Sequence, residues 1–291
     1  MQLDELIDFN AAAKLKGFSF TLNAPVKGYR IGVHKSFLKG ASPDFFEYQE
    51  YTPGDELKHL DWRVYGRLDK LYIKKFEDEV NLTWCVLIDR SGSMGYASGS
   101  VSKLMFAVRL SATLAYLLTK QGDAVALGDF SQKEVKIAAP KTSTSNLITA
   151  LENLRTVRAE GKTGFKQPIL RTLESIKRDS AYVIVSDFFT ELESLEETVK
   201  ILRSSRKEVF AFHVLDPYEI SFPFGDTIEF EDLEDGVKIT VDAASIRSIY
   251  KKNVEEFIER LKLIFQENGV KYVLCLTNQP IEELLIQIAS R

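Results

Sequence analysis

The run Leu82-Thr83-Trp84-Cys85-Val86-Leu87-Ile88, followed at once by Asp89-Arg90-Ser91-Gly92-Ser93-Met94, decides how this chain is read. The first stretch has the length and apolar character of a buried strand. The second sets an Asp-x-Ser-x-Ser cluster of oxygen atoms where that strand ends. Oxygen-only donors at such a point suit a hard divalent cation, Mg²⁺ before anything softer, with Mn²⁺ or Ca²⁺ as alternatives. One carboxylate and two neutral hydroxyls carry too little charge to satisfy the ion. A site of this kind has room for a carboxylate from a partner.

Working outward, short apolar runs alternate with helical patterns from about residue 80 onward. Strands are predicted at 82–88, 124–130, 135–138, 181–186, 208–215 and 270–276. Between them lie helical patterns carrying Leu104 to Leu118, one after Asn146, one from Pro168 to Ile176, and one from Leu192 to Leu202. The clearest helix shows Val254, Phe257, Ile258, Leu261, Ile264 and Phe265 at three-and-four spacing. A short helical pattern, 281–288, ends the sequence. Alternation of this kind predicts an α/β fold, a doubly wound and mostly parallel sheet covered on both faces. Only Ser131-Gln132-Lys133-Glu134 separates the second and third strands. No crossover helix fits there, so 135–138 is expected to be an antiparallel edge strand. A second hairpin is expected near 226–241, around Glu234-Asp235-Gly236.

Residues 1–80 read as a separate, small module: a short helix (Leu3, Leu6, Ile7), then aromatic, extended chain. Extended segments are expected around Phe45–Tyr51 and Leu71–Phe76, with a turn at Thr52-Pro53-Gly54-Asp55. Residues 81–291 form the α/β domain.

Ligands of open α/β sheets bind beyond the carboxyl ends of the strands, where the strand order reverses. With the common order 3-2-1-4-5-6, that crevice lies between strands one and four. Strand one ends at Asp89 and strand four, 181–186, is followed by Asp187, so the two carboxylates are expected to converge. The loop Gly161-Lys162-Thr163-Gly164 adds a further hydroxyl, and its glycines allow a close approach.

The set Asp89, Ser91, Ser93, Thr163 and Asp187 resembles the metal-ion-dependent adhesion site of von Willebrand factor A-type domains. The resemblance implies that Ser91, Ser93 and Thr163 touch the metal directly, with Asp89 and Asp187 orienting them or binding through water. It also implies that a partner's acidic side chain completes the coordination shell. Glu47-Tyr48-Gln49-Glu50-Tyr51-Thr52-Pro53-Gly54-Asp55, His59-Leu60-Asp61-Trp62-Arg63-Val64-Tyr65-Gly66-Arg67 and Leu71-Tyr72-Ile73-Lys74-Lys75-Phe76-Glu77 are together similar to the signature of the DUF58 family. That family is bacterial or archaeal and is often encoded beside MoxR-type AAA+ ATPases. The resemblance therefore implies a protein partner, such as a MoxR-type ATPase or its client, a role in complex assembly, metal insertion or stress tolerance, and no catalysis. Read physically, Asp61, Trp62, Arg63 and Arg67 suggest a packed polar–aromatic cluster.

Other chemistries find less support. Gly161-Lys162-Thr163 ends like a phosphate-binding loop, but position 156 is Thr rather than the required Gly. Neither Ser91 nor Ser93 sits in Gly-x-Ser-x-Gly, and His213 lies within a strand. An Asp-nucleophile phosphatase would place an acid where Ser91 stands. Asn81-Leu82-Thr83 matches a glycosylation triplet, but it opens a strand. A metal-assisted hydrolase would need a general base beside the ion, and none is evident; a scaffold with a vestigial metal site is the blander alternative.

Composition fits these readings. The 291 residues are 45% hydrophobic and 27% charged, an ordinary globular balance. A net charge of −4 gives no electrostatic case for nucleic acid, and Arg30, Lys35 and Lys39 read as a solvated face. No stretch approaches the roughly 20 apolar residues of a membrane span. The acidic start lacks a basic leader, so a cytoplasmic protein is expected. Cys85 and Cys275 both lie in apolar strands and are expected to be reduced, buried thiols.

Overall fold

The computed structural model describes residues 3–22, 44–52, 60–68, 70–77, 82–176, 180–231, 233 and 236–290. The basic positions 30, 35 and 39, the turn at 53–55, His59 and the tip residues Glu234 and Asp235 lie outside the described residues. In chain order the elements are α1 (Leu3–Leu6), α2 (Phe9–Lys14), β1 (Asp44–Glu50), α3 (Trp62–Leu68), β2 (Tyr72–Glu77), β3 (Thr83–Asp89), α4 (Lys103–Gln121), β4 (Ala124–Phe130) and β5 (Val135–Ile137). They continue with α5 (Thr144–Leu154), α6 (Lys166–Ser175), β6 (Ser180–Ser186), α7 (Leu192–Ser204), β7 (Glu208–Leu215) and α8 (Pro217–Ser221). The last are β8 (Thr227–Glu231), β9 (Lys238–Asp242), α9 (Ala243–Glu267), β10 (Lys271–Leu276) and α10 (Ile281–Leu285).

The chain forms two compact units, Pro25–Asn81 and a larger one made of Met1–Ala24 with Leu82–Arg291. The larger unit is built on a six-stranded sheet ordered β10-β7-β6-β3-β4-β5. Counted from β3, this is the order 3-2-1-4-5-6. The pairs among β10, β7, β6, β3 and β4 are parallel, and β5 runs antiparallel to β4 at the edge.

Alternation along β3 divides the core. Trp84, Val86 and Ile88 face one layer, with the buried faces of α4, α5 and α10. Cys85 and Leu87 face the other, with α6, α7 and α9. Covering on both faces is why these strands are nearly continuous apolar runs. The thiols of Cys85 and Cys275 are free, buried and in opposite layers. Burial pushes both well above the ordinary thiol range.

Residues 3–22 correct the expected division. Sequence adjacency groups them with the amino-terminal module, but Leu6, Ala11, Leu15 and Phe20 belong to the α4 layer of the larger unit. The Asp8 amide donates to Thr113 Oγ1 at 2.9 Å, and Gln121 exchanges two 2.9 Å hydrogen bonds with the Phe20 backbone. The helical pattern at 3–15 has an apolar stripe too short to stand alone, and α4 offers it a surface.

In the smaller unit, β1 and β2 pair antiparallel with a register shift between Phe45 and Glu47. Asp61 caps α3 by accepting from the Arg63 amide at 2.9 Å. Trp62 meets the Tyr65 ring edge-on, yet it remains 65% exposed. As the first residue of α3, Trp62 is thus more open to solvent than a packed cluster would leave it, whereas Asp61 beside it is buried.

At Gly128 the backbones of β4 and β5 approach closely. A Cβ there would stand 2.1 Å from the Lys136 carbonyl oxygen and 2.7 Å from Ile137 Cα. Gly128→Ala should therefore lower stability by about 2 kcal/mol or detach β5. Urea unfolding checks this, and an unchanged midpoint would show that the edge pair is not held at this spacing.

Candidate metal centre

Strands β3 and β6 are parallel neighbours, with Ile88 opposite Val185. Their ends place Asp89 and Asp187, both fully buried, at the point where the helices pass to opposite faces. Asp89 Oδ2 accepts from Ser186 Oγ at 2.6 Å, and Oδ1 accepts from the Ser91 amide at 2.8 Å. The carboxylate thus joins two strand ends and fixes the turn carrying both serines. Burial pushes the Asp89 carboxyl above the usual carboxylate range and the charge on Asp187 adds to this, while the bonds from Ser186 and Ser91 pull it back.

The hydroxyls of Ser91 and Ser93 lie 3.2 Å apart. Ser91 is fully buried, whereas Ser93 lies at the surface end of the cluster, half-buried. The turn runs through a short 3₁₀ segment, Gly92–Gly95.

The loop before α6 lies directly on this turn. Gly92 donates to the Gly161 carbonyl at 2.8 Å, Glu160 to the Arg90 carbonyl at 2.8 Å, and Gln132 to the Lys162 carbonyl at 3.1 Å. Gly161 adopts φ +81°, and a Cβ at Gly164 would stand 2.7 Å from Gln132 Cγ. These two glycines let the loop that carries the half-buried Thr163 pass close to Gly92 and Gln132.

On the other side, Phe188 is forced to φ 55°, a strained conformation for a bulky residue. Its amide donates to Ser186 Oγ at 2.8 Å, and the Phe189 amide donates to Asp187 Oδ1 at 3.2 Å. This sharp turn directs the second oxygen of Asp187 inward.

Three side chains of the site escape sequence reading. Lys103, whose side chain is fully buried, donates to Asp187 Oδ2 at 2.8 Å and to Glu219 Oε1 at 2.7 Å. Burial works to lower its pKa, but the attraction of Asp187 and Glu219 and their hydrogen bonds hold it above the ordinary lysine value, so it stays charged. Glu219 is held in turn by a capping box on α8, its Oε2 accepting from the Asp216 amide at 2.7 Å. Burial pushes Glu219 above the usual range against the pull of Lys103. Arg90 ties the loops together, pairing with Asp129 at 2.8 Å, with Glu160 at 2.9 Å and with Glu134.

A signal existed for two of them. Lys103, Ala107, Leu110, Leu114 and Leu118 share one buried stripe of α4, so the lysine breaks an otherwise apolar pattern. Asp216-Pro217-Tyr218-Glu219 has the spacing of a capping box. Arg90 gives no such signal, since its partners are distant in sequence.

The donor chemistry fits a hard divalent ion. Two hydroxyls 3.2 Å apart are close to the roughly 3.0 Å edge of an octahedron with Mg–O bonds near 2.1 Å. Among the described residues, no group of three His, Cys, Asp or Glu converges as a metal site, so hydroxyl oxygens would have to share the coordination with carboxylates. Ser93 opens onto a cleft of about 730 Å³ lined also by Tyr96, Phe189, Glu219, Phe224 and Phe230. His213, by contrast, is sealed beneath Phe188 with Nδ1 2.7 Å from the Tyr272 hydroxyl.

Strand order and antiparallel edge give this unit an α/β fold like that of von Willebrand A-type domains. The chain belongs to the family described as protein of unknown function DUF58, whose model matches residues 47–259. It is 22% identical over 246 residues to the uncharacterized protein Mb1516 of Mycobacterium bovis, covering 82% of this chain and 77% of that one. The crystal structure of the conserved hypothetical protein BatB from Bacteroides thetaiotaomicron superposes with a TM-score of 0.50 at 16% identity, over 71% of this chain and 96% of that one. The SpRpn10 VWA domain gives 0.43 at 11% identity, over 72% and 95%. No described helix is long and apolar enough to cross a membrane.

Removing Arg90 would strand the buried Asp129 carboxylate and release the loops around the serine turn. Arg90→Ala should cost about 3 kcal/mol of unfolding free energy, read by urea denaturation. A loss below about 0.5 kcal/mol, the scale of an exposed pair, would show that Arg90 does not hold the loops.

Proposed function

We propose that this protein is a metal-dependent protein-binding module: Asp89, Ser91, Ser93, Thr163 and Asp187 hold Mg²⁺, and the ion grips an acidic side chain of a protein partner. The observation that carries the reading is the paired Ser91 and Ser93 hydroxyls, 3.2 Å apart, on the turn held by the buried Asp89, with the buried Asp187 at the adjacent strand end. When bound, Mg²⁺ supplies a coordination position at which a carboxylate can replace water.

The chain's own residues do the rest. Asp89 aims the serine turn through the Ser91 amide and secures it to β6 through Ser186. Arg90 holds the 160–163 loop against that turn. Phe188 sets the direction of Asp187. Ser93 and the adjoining cleft leave one side open to a partner. A MoxR-type AAA+ ATPase or its client, in complex assembly or stress tolerance in the cytoplasm, is the partner class we put forward; the protein acts by recognition rather than catalysis.

Asp89→Ala should weaken Mg²⁺ binding at least about tenfold in calorimetry, the scale of losing a group that orients ligands. Capture of a co-expressed MoxR-type ATPase should be lost with EDTA and in Asp187→Ala. Equal Mg²⁺ affinity in wild type and Asp89→Ala would reject the site, and capture that survives EDTA would reject its role.

A further inference from the structure

Lys103 stands where a lysine is costly. It is the first residue of α4, after the cap Ser102, so its charge faces the positive end of the helix dipole. It occupies the apolar stripe that continues through Ala107 and Leu110, and its side chain is wholly buried. An aliphatic residue would pack at this position without a desolvation penalty. What the lysine adds is a cation between Asp187 and Glu219, with Nζ also 4.8 Å from the centre of the Phe189 ring.

We propose that Lys103 is a tethered counter-cation that competes with the divalent ion for Asp187 and so sets the metal affinity of the site. This rests on the metal-binding reading above. The carboxylate that Lys103 holds at 2.8 Å is one of the five proposed ligand residues. Without a metal, the ammonium offsets the repulsion between the buried Asp89 and Asp187. A metal drawing on Asp187 must overcome the ammonium's claim to it. Glu219 makes the exchange workable, because Lys103 keeps one carboxylate at 2.7 Å when the other is taken. That carboxylate is fixed by the capping box of α8, next to the cleft at Ser93. Metal occupancy is thereby linked to the strength of the Lys103–Glu219 pair, and through it to one wall of the partner cleft.

The test uses Mn²⁺ alone as probe, with the free ion counted by electron paramagnetic resonance on the whole chain. Lys103→Gln should tighten Mn²⁺ binding by at least about tenfold, since a unit charge beside a divalent ion in a buried site weighs heavily. Glu219→Gln should weaken it by about threefold or more, because Lys103 then falls wholly to Asp187. A merely structural lysine would give the opposite sign in Lys103→Gln. If Ser91→Ala/Ser93→Ala abolishes Mn²⁺ binding but Lys103→Gln leaves it equal or weaker, the competition is overturned and the metal site stands. If the double serine variant binds as wild type does, or if neither wild type nor Lys103→Gln binds, the site reading fails and the competition with it. Should Lys103→Gln not fold, Glu219→Gln decides: equal or tighter binding overturns the proposal.

Discussion

A single hydrogen bond, from Ser186 Oγ to Asp89 Oδ2 at 2.6 Å, joins the two strand ends on which the site depends. Where β3 and β6 lie side by side, their following helices pass to opposite faces of the sheet. The crevice between them lies where the strand order reverses. A carboxylate buried there has to find donors locally. Asp89 finds them in Ser186 on one strand and the Ser91 amide on its own turn. That pairing gives the serine turn its shape.

Much of this was legible in the sequence, for a physical reason. Strands covered on both faces must be apolar nearly throughout, so β3, β4, β6 and β7 stand out as runs. The four-residue connection 131–134 admits only a hairpin, which fixes β5 as the antiparallel edge. Order and polarity of the sheet then bring Asp89 and Asp187 to one crevice.

The remainder depended on contacts between distant segments. The pairings of Arg90 with Glu134 and Glu160, and of Lys103 with Asp187 and Glu219, join residues with no local relation. A lysine is read by default as solvated, and only its place on the α4 stripe argues otherwise. The amino-terminal helices read as part of the neighbouring module because they adjoin it in sequence, yet in space they belong to the α4 layer. Their partners on α4 lie about a hundred residues further on. Trp62 shows the converse: a large aromatic residue invites a buried reading, but a helix start leaves it projecting.

The charge arrangement explains how this crevice can fold without an ion. Two buried carboxylates at adjacent strand ends would repel, and Lys103 offsets that repulsion at the cost of burying its own charge. On the proposed reading, a metal would have to be won by a site already balanced in this way, which would suit reversible recognition. Crystals equilibrated with Mn²⁺ and measured at the manganese absorption edge test the central claim most directly. The account predicts an anomalous peak bridging the Ser91 and Ser93 hydroxyls beside Asp89 and Asp187; a peak elsewhere, or none at saturating Mn²⁺, would contradict it.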